Sequence, residues 1–184
     1  MNIGVFMGLR PGRCYKKFDR PYTRQSQKKP RKGYIKGVPK HNISQFEMGK
    51  KKNYSHVAFL ITKEDAQIRH NALESFRVTT IQKLEKTLSK GGLFFFKIRI
   101  FPHHVLRENA MATGAGADRF QQGMRASFGK PISTAARVRV GQKMFEIQVN
   151  KANIIAAKKA LLHGSYKLPV KTHVVIEEIP EIKE

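Results

Sequence analysis

Fifteen Lys and Arg side chains stand against two Asp and Glu in the first 52 residues. So little acid offsets that charge that the stretch cannot collapse into a core of its own and calls for a polyanion from outside. Gly8, Gly12, Gly33, Gly37 and Gly49, with Pro11, Pro21, Pro30 and Pro39, break any helix between them. Residues 8–52 therefore read as an extended arm, poorly ordered when alone. The excess thins out along the chain: 8 basic against 4 acidic side chains in residues 53–100, 7 against 2 in 101–145, and 6 against 5 in 146–184.

The whole chain carries a formal charge of +23 over 184 residues, with 40% hydrophobic residues. That is enough for one modest core, and too much positive charge for an isolated fold to hold comfortably. Nucleic acid relieves it best, because each phosphate contact releases condensed counterions. An anionic membrane surface is the rival partner. It would call for an amphipathic basic helix or a lipidation signal. Met1-Asn2 does not match the myristoylation pattern. No apolar run approaches the ~18 residues of a membrane span, and no apolar leader suggests secretion. With Cys14 the single cysteine, an intramolecular disulfide is impossible and a thiolate zinc cluster is not expected.

Within the arm, Tyr15, Tyr22 and Tyr34 lie among Lys and Arg. Against RNA they would stack on bases while the cations meet phosphates. The plainer alternative is that such tyrosines anchor the arm on the protein's own core.

After the arm, Val57–Ile61 reads as a strand. Thr62 with Asp65 resembles a capping box, and a helix is expected over 63–88, its apolar stripe carried by Leu73, Phe76, Ile81, Leu84 and Leu88. Gly91-Gly92 stops it. Leu93–Phe101 alternates with period two: Phe94, Phe96, Ile98 and Ile100 share one face, and Phe95, Lys97, Arg99 and Phe101 the other. That second face suits a surface pressed on RNA. Pro102 ends the strand, and 103–117 reads as a long flexible loop closing on Thr113-Gly114-Ala115-Gly116-Ala117. A short helix over 119–128 is expected, with Phe120, Met124 and Phe128 on one stripe. A strand with Arg137 and Arg139 outward follows at 136–140, then a turn at Gly141-Gln142 and a strand at 143–149. A helix over 151–163 ends at Gly164, and a last strand runs 172–176. Glu177, Glu178, Glu181 and Glu184 form an acidic tail. The fold class expected is α+β: a single domain of residues 53–176 with loop 103–117, preceded by the arm (1–52) and followed by the tail (177–184).

Catalytic chemistry finds little support. His103-His104 is an adjacent pair whose rings diverge in a strand, with only Glu108 nearby as a third ligand, so no metal site is expected. Gly114-Ala115-Gly116 lacks the dinucleotide fingerprint, and neither it nor Gly129-Lys130-Pro131 forms a phosphate loop. Cys14 has no histidine near it in sequence and sits on an arm that cannot preorganise a nucleophile. No catalytic residue, cofactor or metal is assigned.

Longer segments then carry a resemblance. Arg10-Pro11-Gly12-Arg13-Cys14-Tyr15, Lys36-Gly37-Val38-Pro39, the run Gln67–Glu74 and, above all, PHHVLRENAMATGAGADRFQQGMRASFGKP from Pro102 to Pro131, continued by TAARVRVGQ at 134–142, are similar to the L10e/L16 (uL16) family of large-subunit ribosomal proteins. The likeness covers about residues 8–175 and looks archaeal in wording. Ser133, Phe120, residues 1–7 and the Lys-rich 25–36 depart from the usual pattern.

The resemblance implies an α/β-hammerhead-type domain and a non-catalytic, structural role in the large ribosomal subunit, in the cytoplasm. The partners implied are 23S-type rRNA, 5S rRNA nearby below the central protuberance, tRNA in the A/P region and neighbouring ribosomal proteins, with no membrane. Arg10, Arg13, Tyr15, Lys16, Lys17, Arg20, Tyr22, Arg24, Lys97, Arg99, Arg137 and Arg139 would then bind rRNA. His103, His104, Arg107, Asn109, Met111, Thr113, Gly114, Gly116 and Arg119 would form the loop near tRNA and the peptidyl-transferase region. The alternative is a ribosome-associated RNA-binding assembly or accessory factor.

Overall fold

The computed structural model describes residues 10–18, 35–88, 94–109, 111, 121 and 123–179. Among them are eight strands and two α-helices: β1 (Glu47–Gly49), β2 (His56–Thr62), β3 (Ala66–Arg69), α1 (His70–Leu88), β4 (Phe94–Ile98), β5 (His104–Glu108), β6 (Lys130–Val138), β7 (Lys143–Val149), α2 (Ile154–Ser165) and β8 (Thr172–Glu178). A five-stranded sheet runs β1-β4-β7-β2-β8 and a three-stranded sheet runs β3-β6-β5, all pairs antiparallel. The class is α+β.

The large sheet is built from period-two sequence. Phe96 lies opposite Ile147, Ala58 opposite Ile147 on the other side, and Leu60 opposite Phe145, so one face is a continuous apolar floor. The helices cover it. Phe76 of α1 stacks on Phe145 at 3.8 Å between ring centroids, and Leu73, Leu84, Ala157 and Leu161 are fully buried beside it. Burying each of these Phe and Leu side chains stabilises by about 1.5–3 kcal/mol. Ile68, Ala136 and Val138 of the small sheet join the same core.

Several elements differ from the sequence expectation. The helix does not start at 63: residues 66–69 form β3, paired with Ala135–Val138 of β6. Ala66 and Ile68 recur at strand spacing, whereas the helical stripe begins only at Leu73. Nor is there a capping box. Thr62 Oγ1 donates to the Glu64 carbonyl (2.8 Å) and accepts from the Glu64 N–H (3.2 Å), closing a turn, and Asp65 Oδ1 accepts from the Val140 N–H (2.7 Å). This pins the β2–β3 connection to the β6–β7 turn.

The stretch read as loop from 103 contains strand β5, because His104–Glu108 finds β6 as a partner. β6 itself begins at Lys130, six residues earlier than expected. Its Pro131 is tolerated because β3 spans only 135–138 of it, and a register shift lies between Leu106 and Arg107 where Pro131 pairs. Of the helix expected over 119–128, the described residues show a 3₁₀ turn at Gly123–Ala126, while 119, 120 and 122 lie outside them. Met124 and Phe128, two of the three residues of its expected apolar stripe, are 71% and 77% exposed; the third, Phe120, lies outside the described residues. Glu47–Gly49, read as arm, pair with β4, and Glu177 and Glu178, read as tail, close β8.

Gly164 does not stop α2, which runs on to Ser165. It marks a close crossing instead: a Cβ there would lie 2.2 Å from Thr80 Oγ1 and 2.8 Å from the Phe76 ring, so only glycine lets α2 approach α1 this tightly. The Gly91-Gly92 stop lies outside the described residues.

Candidate nucleic-acid interface

The first described segment of the arm, residues 10–18, is docked on the small sheet. A 3₁₀ turn at Gly12–Tyr15 presents the following backbone to β3. The Gln67 N–H donates to the Lys16 carbonyl (3.0 Å), and the Gln67 side-chain amide donates to the Tyr15 and Lys17 carbonyls. Tyr15 turns toward protein. Its hydroxyl donates to Glu108 Oε2 (2.9 Å), and the Arg69 guanidinium lies over its ring at 5.3 Å. Burial first, then the Glu108 bond, pushes the Tyr15 phenol up to about 12. Arg10 also pairs with Glu108, and Lys16 with Glu64, whose carboxyl the Lys16 bond holds below the usual range. Arg137 covers the Phe18 ring at 4.6 Å. Of the expected RNA-binding residues, Tyr15 and Lys16 thus serve as anchors for the arm. Arg13 and Lys17 are exposed beside them, with no carboxylate partner among the described residues. Arg20, Tyr22 and Arg24 lie outside the described residues.

The outward face of the large sheet is different. Lys97 pairs with Glu47 (2.6 Å), Arg99 with Glu146 (2.8 Å) and Lys143 with Glu177 (2.6 Å). Lys97 stands between Glu47 and Glu146 across the strands, and its bond lowers the Glu47 carboxyl. Lys143 and Arg99 also sit over the Phe59 ring, at 3.9 and 5.6 Å. Lys97 and Arg99, expected on an RNA face, each meet a carboxylate there. Arg139, just past β6, is exposed and has no carboxylate partner among the described residues.

Of the loop residues, His103 is exposed with its ring 4.5 Å from that of Phe101, and His104 is buried. Arg107 donates twice to the Gly129 carbonyl (3.2 and 2.7 Å), and Asn109 donates to the Gly123 carbonyl (3.1 Å). These three bonds fasten the base of the loop to the segment before β6. Gly129 sits at φ 72 with its backbone against Glu108, where a Cβ would come within 2.4 Å. Met111 is half exposed. Thr113, Gly114, Gly116 and Arg119 lie outside the described residues.

One feature escaped the sequence reading. A cavity of about 330 Å³ opens between the arm turn, the N-terminus of α1 and the chain after α2, lined among others by Gly12, Gln67, Arg69, Asn71, Ser75 and Lys167. The run Gln67–Asn71 carried family wording, but nothing in sequence spacing joins it to Gly12 or Lys167. No group of three or more potential metal ligands occurs among the described residues, and no helix there is long and apolar enough to cross a membrane.

Comparison with known proteins follows the same direction. The family model described as ribosomal protein L16p/L10e matches residues 21–175. The large ribosomal subunit protein uL16 of Metallosphaera sedula is 46% identical over 180 residues, covering 96% of this chain and 99% of that one. Its counterpart in Sulfolobus acidocaldarius is 47% identical over 176 residues, covering 94% and 96%. That of Methanococcus aeolicus is 44% identical over 178 residues, covering 96% and 98%. Matched over most of its length by the family model, and end to end by archaeal relatives, the chain belongs to the ribosomal protein L16p/L10e family, uL16 in its archaeal form.

Proposed function

We propose that the chain is a structural, non-catalytic constituent of the large ribosomal subunit that binds large-subunit rRNA. The observation that carries this is the full-length likeness to uL16 relatives, and the charge of +23 supports it. A permanent bed of rRNA phosphate offsets that charge through counterion release. Phosphate contacts of this kind position a protein without reading sequence, and the folded shape of the rRNA supplies specificity. The finer reading rests on the family resemblance. The protein sits below the central protuberance near 5S rRNA, with residues 103–117 directed at the acceptor ends of tRNA, and its place in the cell is the cytoplasm. Arg13, Lys17 and Arg139 are the described cations best placed for rRNA, and the braces from Arg107 and Asn109 aim the loop. Sucrose-gradient sedimentation after a high-salt wash tests the proposal. An integral constituent stays with large-subunit particles; recovery only in the top fractions assigns it instead to the accessory factors.

A further inference from the structure

The cavity at the start of α1 has features that the docking of the arm does not use. Gln67 is 2% exposed, and its amide nitrogen is spent on the Tyr15 and Lys17 carbonyls, which fixes where its oxygen points. That oxygen is buried and accepts no hydrogen bond among the described residues. Asn71 Oδ1, in the first turn of α1, is in the same condition. A buried acceptor without a donor is costly, and native folds rarely leave two in one place. Arg69 and Lys167 line the same space, and neither has a carboxylate partner among the described residues. The first turn of α1 adds N–H groups without intrahelical acceptors and the positive end of the helix dipole. The cavity therefore asks for a ligand that is anionic at one end and donates hydrogen bonds at the other.

We propose that this cavity holds a single ribonucleotide of the rRNA, its phosphate on Arg69, Lys167 and the first-turn N–H groups of α1, its ribose 2′-hydroxyl donating to the Gln67 carbonyl oxygen and an N–H of its base donating to that of Asn71. The volume, about 330 Å³, falls at the small end of the ~300–1,000 Å³ usual for ligand sites. A deoxyribonucleotide lacks the 2′-hydroxyl and would leave the Gln67 oxygen without a donor, so that acceptor selects RNA. Gly12 keeps the entrance open: a Cβ there would lie 3.9 Å from both Arg69 Nη2 and Pro169 Cβ, and a longer side chain would enter the cavity. The arm turn thus forms one wall of the site, so that docking the arm completes it.

This inference rests on the ribosomal reading, and the test separates the two. Tagged full-length chain is incorporated into large subunits in cells, and 2′-hydroxyl acylation of the rRNA is compared between wild type and variants. Ser75→Glu puts a negative charge at the cavity on an exposed helix position, Gly12→Leu fills the entrance, and Ser75→Ala is the conservative control. The expected result is one nucleotide that is protected in wild type and Ser75→Ala and gains reactivity about fivefold or more in both other variants, as the loss of one or two hydrogen bonds implies. If Gly12→Leu fails to incorporate, Ser75→Glu alone decides. An unchanged acylation profile in subunits that contain Ser75→Glu overturns the cavity proposal and leaves the ribosomal reading standing. Absence of the wild-type chain from subunits overturns both.

Discussion

On the outward face of the five-stranded sheet, Lys97, Arg99 and Lys143 each meet a carboxylate from another strand of the same sheet. Beside the three-stranded sheet, Arg13, Lys17 and Arg139 meet none among the described residues, although Glu108 and Glu64 lie in the same region. Those two acids are used to hold the arm down, through Arg10, Tyr15 and Lys16. One sheet therefore neutralises its own charge, and the other spends its acids on positioning and leaves cations outward. Only the second arrangement leaves charge to attract a polyanion at long range. A basic residue in the sequence is thus not yet a phosphate contact; what decides is whether the fold has already supplied its counter-charge.

Three measurements would break or sharpen this contrast. The largest effect is expected on the self-neutralised face. Glu146 is buried, and both Arg99 and Gln148 donate to it. Glu146→Ala should lower stability by about 1–2 kcal/mol, the loss of a charged hydrogen bond discounted for the half-exposed Arg99. Chemical denaturation reads this directly, and an unchanged midpoint would mean that the pair contributes nothing.

A smaller effect is expected at the arm anchor. Tyr15→Phe removes the bond to Glu108 and should cost about 1 kcal/mol or less. The pH dependence gives a second readout. Because the folded state raises the Tyr15 phenol to about 12 from 10.0, its contribution is fully present below pH 10 and is lost as pH rises through about 12. The variant should lose that part of the alkaline decline in stability. An identical alkaline limb would show that Tyr15 is not held by Glu108 in solution.

The smallest effect on stability belongs to the unpaired cations. Arg13→Ala, Lys17→Ala and Arg139→Ala together should change folding free energy by less than about 0.5 kcal/mol per site. They should nevertheless reduce the salt dependence of RNA binding, by somewhat under ~1 in log–log slope per lost phosphate contact. Lys97→Ala with Arg99→Ala should reduce it less per residue removed. Equal reductions would erase the difference between the two sheets.

How much of this was legible beforehand differs by element. β4 could be read because Phe94, Phe96 and Ile98 alternate strictly, and α1 because its stripe from Leu73 to Leu88 keeps helical spacing. β3 and β5 were missed for a shared reason. Each is short, and each is a strand because β6 pairs with it; the strand spacing of Ala66 and Ile68 in β3 is too brief to announce that by itself. The helix expected at 119–128 is not seen over its described residues for the converse reason: of its stripe, Met124 and Phe128 have no core to face. The candidate site divides in the same way. Of the residues expected to meet RNA, Arg13, Lys17 and Arg139 are exposed, whereas Tyr15, Lys16, Arg107 and Asn109 make contacts within the chain.

The order of residues alone determined the charge excess and its concentration near the start, the α+β class and the family, because these depend on composition, local periodicity and wording. Tertiary structure decided which cations keep their charge for a partner and where a ligand fits. Glu146 comes 47 residues after Arg99, and Gly12, Ser75 and Lys167 come from three distant segments. A charge is cancelled, or a cavity closed, by proximity in space, which only the packing of the two sheets and α1 provides.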